Sequence, residues 1–178
     1  LGNARIGYKN YAFLEYSARN DWSSTLPSEN NSFFYNAIGG SVVVSDMLDI
    51  KNDILNYMKI RANYGTSGKD AGLYLLKSTF VGNPTIQSLG DYSIFFPLNG
   101  QPGFTTGNRI GNPNLRPELT STIEFGADLG LFKDRVGLEY TYYNSNHSDQ
   151  IVEISLPSST GFTRTVANIG KMTNVGHE

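Results

Sequence analysis

From Leu119 the chain alternates with a period of two. Leu119, Ser121, Ile123, Phe125, Ala127, Leu129 and Leu131 fall on one face, and Thr120, Thr122, Glu124, Gly126, Asp128 and Gly130 on the other. Successive side chains of an extended backbone point to opposite sides, so the pattern predicts one long strand with an apolar face. Lys133-Asp134 predicts a short turn. Val136, Leu138, Tyr140 and Tyr142 then resume on one side, against Arg135, Gly137, Glu139, Thr141 and Tyr143. The two strands make a long antiparallel hairpin whose apolar face carries no charge. Residues 11–20 and 58–65 alternate in the same way, with Ala12, Leu14, Tyr16 and Ala18 on one side and Met58, Ile60, Ala62 and Tyr64 on its counterpart. Charges, among them Glu15, Arg19, Lys59, Arg61, Glu124, Asp128 and Glu139, stay on the opposite sides.

The remaining chain reads as connections and further strands. Residues 1–7 end a strand before a tight turn at Lys9-Asn10, and 33–45 form another strand, with a bulge or close backbone approach at Gly39-Gly40. The spacing of Leu48, Leu55 and Met58 predicts a short helix within 46–57. A last strand starts at Thr165. Long polar or Gly- and Pro-rich loops are predicted at 21–32, 66–117 and 145–163, with short hairpins near 73–80 and 92–97 and an extended piece at 151–156. The fold class is all-β: about six or seven antiparallel up-and-down strands, joined alternately by short and long connections. Outer-membrane barrels pair short periplasmic turns with longer outside loops, and a wall segment of a large transmembrane β-barrel fits. A β-sandwich, its apolar faces turned into a dry core, gives the same alternation, and the pattern alone leaves both open.

Composition adds little that separates them. The apolar share of 39% lies below the ~45–50% usual for globular domains, as either a hydrated lumen or solvated outer faces would produce. No run approaches the ~18 apolar residues of a transmembrane helix. A net charge of −2 gives no footing on phosphates, so nucleic acid is not an expected partner. Cysteine is absent, which removes disulfides and thiolate metal sites. The chain starts at Leu1 and stops at Glu178 within an apparent strand, and the expectation is a fragment.

Candidate chemistry is sparse. Residues 63–70 resemble a phosphate loop, but Asn63 stands where the first Gly belongs and Asp70 where Ser or Thr should follow Lys69. Asp46, Asp49 and Asp53 lack the ligand alternation and central Gly of a calcium loop. The two histidines, His147 and His177, come with no nucleophile motif. The reading is therefore not an enzyme, with no catalytic residues, metal or cofactor. Aromatics within polar loops are the candidate ligand contacts, since flat apolar faces beside hydrogen-bonding groups bind sugars and peptides. They are Trp22, Tyr92, Phe95, Phe96 and Phe104, together with Arg109. The plainer account is that these rings only pack the loops together.

Several stretches carry a resemblance. Asn112-Pro113-Asn114-Leu115-Arg116-Pro117-Glu118, the strand end Gly126-Ala127-Asp128-Leu129 and Tyr142-Tyr143-Asn144 resemble the SusC/RagA family of TonB-dependent outer-membrane transporters of Bacteroidetes. So do Ala18-Arg19-Asn20-Asp21-Trp22-Ser23-Ser24, residues 59–65 and Ser159-Thr160-Gly161-Phe162. The resemblance runs in order along nearly the whole chain and favours the barrel over a soluble or surface-attached carbohydrate-binding sandwich. It implies a segment of a large plugged barrel in the outer membrane, the plug and TonB box lying outside this sequence. It further implies import of a bulky nutrient, a glycan or an oligopeptide, with a SusD-like surface lipoprotein and the TonB complex as partners. Outer-membrane lipid would meet one face, and Lys59, Arg61, Glu124, Asp128 and Glu139 would line the lumen.

Overall fold

The computed structural model describes residues 1–50, 52–82, 84–87 and 93–178. Its centre is one seven-stranded antiparallel sheet. The strands are β1 (Gly2–Tyr8), β2 (Ala12–Trp22), β3 (Ser32–Val43), β4 (Leu55–Lys69), β9 (Glu118–Leu131), β10 (Val136–Ser155) and β11 (Arg164–His177). They lie side by side in chain order, a meander interrupted only between β4 and β9. That interruption holds four short strands: β5 (Phe80–Gly82), β6 (Thr85–Gln87), β7 (Ser93–Phe95) and β8 (Phe104–Thr106). β5 pairs with β8, and β6 with β7.

The register fixes what each face carries. One row of partners across all seven strands runs Ile6, Leu14, Gly40, Ala62, Phe125, Tyr142 and His177; the row beside it runs Ala4, Tyr16, Ile38, Tyr64, Ile123, Asn144 and Val175. Neither holds a Lys, Arg, Asp or Glu. The other face alternates with them, one of its rows being Arg5, Glu15, Gly39, Asn63, Glu124, Tyr143 and Gly176. No second sheet covers the uncharged face among the described residues, where Ile6, Phe125 and Leu138 are more than half exposed. A continuous apolar surface of this kind needs an apolar medium or partner. The layout removes the sandwich, which requires two facing layers.

The connections at one end are tight. Lys9 and Asn10 both take positive φ (48° and 61°), with Tyr11 N–H donating to Tyr8 O at 3.2 Å. Three residues, 9–11, separate the paired Tyr8 and Ala12, and the two left-handed residues at the turn's centre match the twist of the flanking strands. Phe132, Lys133 and Asp134 also have positive φ. The Asp134 carboxylate accepts from Asn56 Nδ2 at 2.5 Å, and Lys133 pairs with Asp53 at 3.3 Å, tying this turn to the one before β4.

Four sequence expectations change, the first being the loop expected from residue 66, which begins after Lys69 because β4 stays paired with β9 as far as Lys69↔Glu118. The helix expected within 46–57 is a single turn, α1 (Val44–Met47), and residues from Leu55 join β4 because their backbone pairs with β9. The hairpin expected at 73–80 does not form; Phe80–Gly82 instead reaches across to Phe104–Thr106. The loop expected at 145–163 shrinks to 156–163, with a 3₁₀ turn at Ser158–Thr160, since β10 continues to Ser155. Residues 145–150 (SNHSDQ) are all polar, so no alternation marks this part of the strand. Hydrophobic period marks a strand only where one face is buried.

The hydrophobic core lies at the long-connection end. Leu26, Ala71, Leu115 and Val166 are buried, with Phe33, Leu75, Leu76 and Ile151 packed around them. The sheet has no core of its own, as expected of a wall between lipid and a hydrated interior.

Candidate functional site

The five charged residues expected at a lumen share one face. Lys59 and Arg61 stand on β4, Glu124 and Asp128 on β9, and Glu139 on β10. Four of them form one network. Arg61 Nη1 meets Asp128 Oδ1 at 2.7 Å, Arg61 Nη2 meets Glu139 Oε1 at 2.6 Å and Thr141 Oγ1 at 2.7 Å, and Lys59 Nζ lies 3.9 Å from Asp128. Arg61 must cross β9 to reach β10, and the residue opposite it there is Gly126. A Cβ at Gly126 would collide with the Arg61 side chain. Absence of a side chain on β9 therefore gives the guanidinium its path. Glu124 stands apart, beside Gly39, Asn63 and Thr122 on the edge of a cavity of about 400 Å³.

Residues 112–118 form a clamp. β10 bulges at Ser148-Asp149, where Asp149 has φ 54° and the ladder to β11 slips. A bulge leaves backbone groups without ladder partners, and side chains supply them. Ile151 N–H donates to Glu118 Oε1 at 2.9 Å, and Asp149 O accepts from Asn168 Nδ2 at 2.7 Å. Asn168 also takes Arg116 N–H at 2.9 Å and donates to Arg116 O at 2.8 Å, while Arg116 pairs with Asp149 at 2.8 Å. Asn112 Nδ2 donates to Val166 O at 2.9 Å, and Leu115 is fully buried among the loops. The segment that carried the resemblance seats the long connection on the sheet.

The candidate ligand contacts do not converge. Trp22 ends β2 and borders a cavity of about 440 Å³. Phe95 ends β7 and is exposed, and the Phe96 ring lies over Gly103. Phe104 begins β8, exposed, opposite Gly82. Arg109 donates to Tyr74 O at 3.1 Å and bridges to Arg164 at the start of β11. Tyr92 lies outside the described residues. Sequence reasoning passed over the polar residues around Trp22. Arg19 Nε meets Asp21 Oδ1 at 2.6 Å, Tyr35 Oη donates to Asp21 Oδ2 at 2.7 Å, and Ser23 Oγ donates to Asp70 Oδ2 at 2.7 Å. The adjacent Arg-Asn-Asp-Trp-Ser run was the available signal.

A single-layer meander with one uncharged apolar face and one charged face is a wall segment of a membrane-spanning β-barrel. The family model described as TonB dependent receptor-like, beta-barrel matches residues 2–178, and the chain belongs to that family. It is a segment of an outer-membrane receptor and not an enzyme. The TonB-dependent receptor P26 of Formosa agariphila is 31% identical over 182 residues, covering 100% of this chain. The TonB-dependent receptor SusC of Bacteroides thetaiotaomicron is 25% identical over 97% of this chain. In each case the chain spans 17% of the relative's length. Both organisms agree with a Bacteroidetes family. Among solved structures, the RagAB peptide transporter superposes with a TM-score of 0.80 at 25% identity, over 98% of this chain and 18% of that one. The siderophore receptor PirA of Pseudomonas aeruginosa, 16% identical with a TM-score of 0.62, shares the fold.

Proposed function

We propose that the full protein imports a bulky nutrient, a glycan or an oligopeptide, across the outer membrane by TonB-dependent transport. This segment supplies barrel wall and outer vestibule. Its uncharged face meets lipid, and Lys59, Arg61, Glu124, Asp128 and Glu139 line the hydrated interior. The tight turns at 9–10 and 132–135 face the periplasm. The 23–31, 70–117 and 156–163 connections face outward, towards the ligand and a SusD-like lipoprotein. A plug and the TonB-contacting segment belong to the rest of the protein. The observation that carries this reading is the charge segregation, which keeps its register across all seven strands in the rungs from Ile6 to His177 and from Ala4 to Val175.

The test places one charge on either face of β9 in the full-length protein. A cation facing lipid near mid-bilayer costs ~2–4 kcal/mol in a barrel. Ile123→Arg is expected to abolish the heat-modifiable band of a folded barrel in outer-membrane fractions. Thr122→Arg, one residue away on the other face, is expected to retain it. Equal assembly of the two variants defeats the facing assignment. Nutrient uptake that persists without the TonB complex defeats the import reading.

A further inference from the structure

The uncharged face changes character part way up the sheet. On β9, Leu131, Leu129, Ala127, Phe125 and Ile123 follow one another on that face, and Ser121 ends the apolar series. Leu131 and Ser121 are ten residues apart. At ~3.4 Å per residue and a strand tilt of ~40°, that separation is a rise of ~26 Å. The apolar band of an outer-membrane barrel is ~25 Å tall, so Ser121 stands at its edge, where lipid headgroups begin.

The row through Ser121 is polar on five neighbouring strands: Asn36, Thr66, Ser121, Asn146 and Thr173, from β3 to β11. Only Ala18 and Gly2, which continue it on β2 and β1, lack a polar side chain. The β3–β4 ladder ends one rung below, at Ala37↔Gly65, and the Thr66 hydroxyl carries the contact instead. It accepts from Asn36 N–H at 3.0 Å and donates to Asn36 O at 3.1 Å. Asn146 donates to Asn144 Oδ1 at 3.4 Å and accepts from Thr173 Oγ1 at 2.9 Å. The next row outward is mixed, with Asn20, Phe34, Gly68, Leu119 and Ser148. Lys171 lies two residues beyond Thr173 on β11 and so projects from the same face. Its side chain is exposed and has no ion pair among the described residues. Asp149, in the bulge across the ladder from Lys171, is already held by Arg116 at 2.8 Å.

This outer surface therefore offers an apolar band, then a belt of amides and hydroxyls, then a cation without a carboxylate. Five strands set ~4.8 Å apart make the belt ~19 Å wide, room for several sugar hydroxyls to exchange hydrogen bonds with amides that both donate and accept. Lysine beside a membrane surface attracts anionic headgroups. We infer that the belt and Lys171 dock a phosphorylated glycolipid of the outer leaflet against the outside of the barrel wall. Its acyl chains lie on the apolar band, its sugars on the belt and a phosphate at Lys171. The assignment rests on the reading that the uncharged face meets lipid and the long connections face outward, and it concerns the lipid surround rather than the cargo.

The experiment uses the full-length receptor purified in detergent, titrated with monophosphoryl lipid A or with phosphatidylglycerol and read by native mass spectrometry. Lipid A is expected to give a saturable adduct at lower concentration than phosphatidylglycerol. Lys171→Gln and Asn146→Leu should each remove one bound lipid A or weaken its binding about tenfold. Lys171→Arg should retain it, because the charge remains, and Lys9→Gln, at the opposite end of the sheet, should leave it unchanged. Each variant is first shown to give the heat-modifiable band, which separates loss of lipid from loss of folding. Absence of a saturable lipid A adduct overturns the inference, and so do adducts unchanged in both Lys171→Gln and Asn146→Leu. Equal binding of phosphatidylglycerol with the same dependence on Lys171 also overturns it, since the site would then read phosphate alone. Orientation is checked separately with Ser159→Cys and a membrane-impermeant maleimide on intact cells. Labelling above the parent receptor with unchanged adducts defeats the lipid site alone, whereas no labelling of the folded receptor defeats the outward placement on which it rests.

Discussion

At the scale of single residues, the charged face is organised by what glycine leaves out. Gly126 sits opposite Arg61, and the guanidinium passes over it to join Asp128, Glu139 and Thr141. Gly126→Val should lift Arg61 from this path and lower the stability of the folded barrel by ~1–3 kcal/mol, the usual range for an overpacked position. The measurement is the urea unfolding midpoint in lipid vesicles. Because both changes remove the same contacts, Arg61→Ala combined with Gly126→Val should cost little more than the worse of the two alone. Full additivity would refute the coupling. Lys9 offers the opposite sign. It holds φ 48° in a turn that glycine adopts freely, so Lys9→Gly should stabilise by ~1 kcal/mol in the same assay. The alternation placed Gly126 on the polar face from sequence. Its service to Arg61 was not legible, because the pairing of β4 with β9 spans the whole long insertion.

At the scale of elements, the clamp at 112–118 and the bulge of β10 explain each other. The bulge frees Ile151 N–H and Asp149 O, and Glu118 and Asn168 satisfy them. Leu115 then anchors the end of the long connection in the only buried cluster described. Leu115→Ala should cost ~2–5 kcal/mol, as for other buried leucines. That loss falls on the outer loops, since the sheet has its own ladder. The expected result is faster proteolytic nicking within 70–117 in intact cells, with the heat-modifiable band retained. Unchanged nicking would show that the cluster does not hold the loops. Sequence singled out this motif by resemblance but could not give it work to do, because its partners Asp149 and Asn168 lie 33 and 52 residues from Arg116. Of the continuation of β10, the extended piece expected at 151–156 was legible and residues 145–150 were not. A wholly polar run such as SNHSDQ has no hydrophobic period to read.

At the scale of the whole molecule, this chain has one uncovered apolar face and two sheet edges, β1 and β11. Unpaired edges and exposed apolar surface both drive association in water. Expressed alone without detergent, the 178-residue chain should sediment as aggregate rather than elute as a monomer. A monomeric, cooperatively folding species on size exclusion would contradict a wall segment.

Sequence by itself determined most of the long strands, their apolar and charged faces and the alternation of tight and long connections. Those features follow from local rules: side-chain period, the turn preferences of a few residues and the cost of charge in an apolar medium. Only tertiary structure decided which charged residues meet, why residues 112–118 read as they do, and where β3 and β4 separate. Each of these depends on partners brought together by strand register across long intervening loops, and neither periodicity nor spacing along the chain records that register.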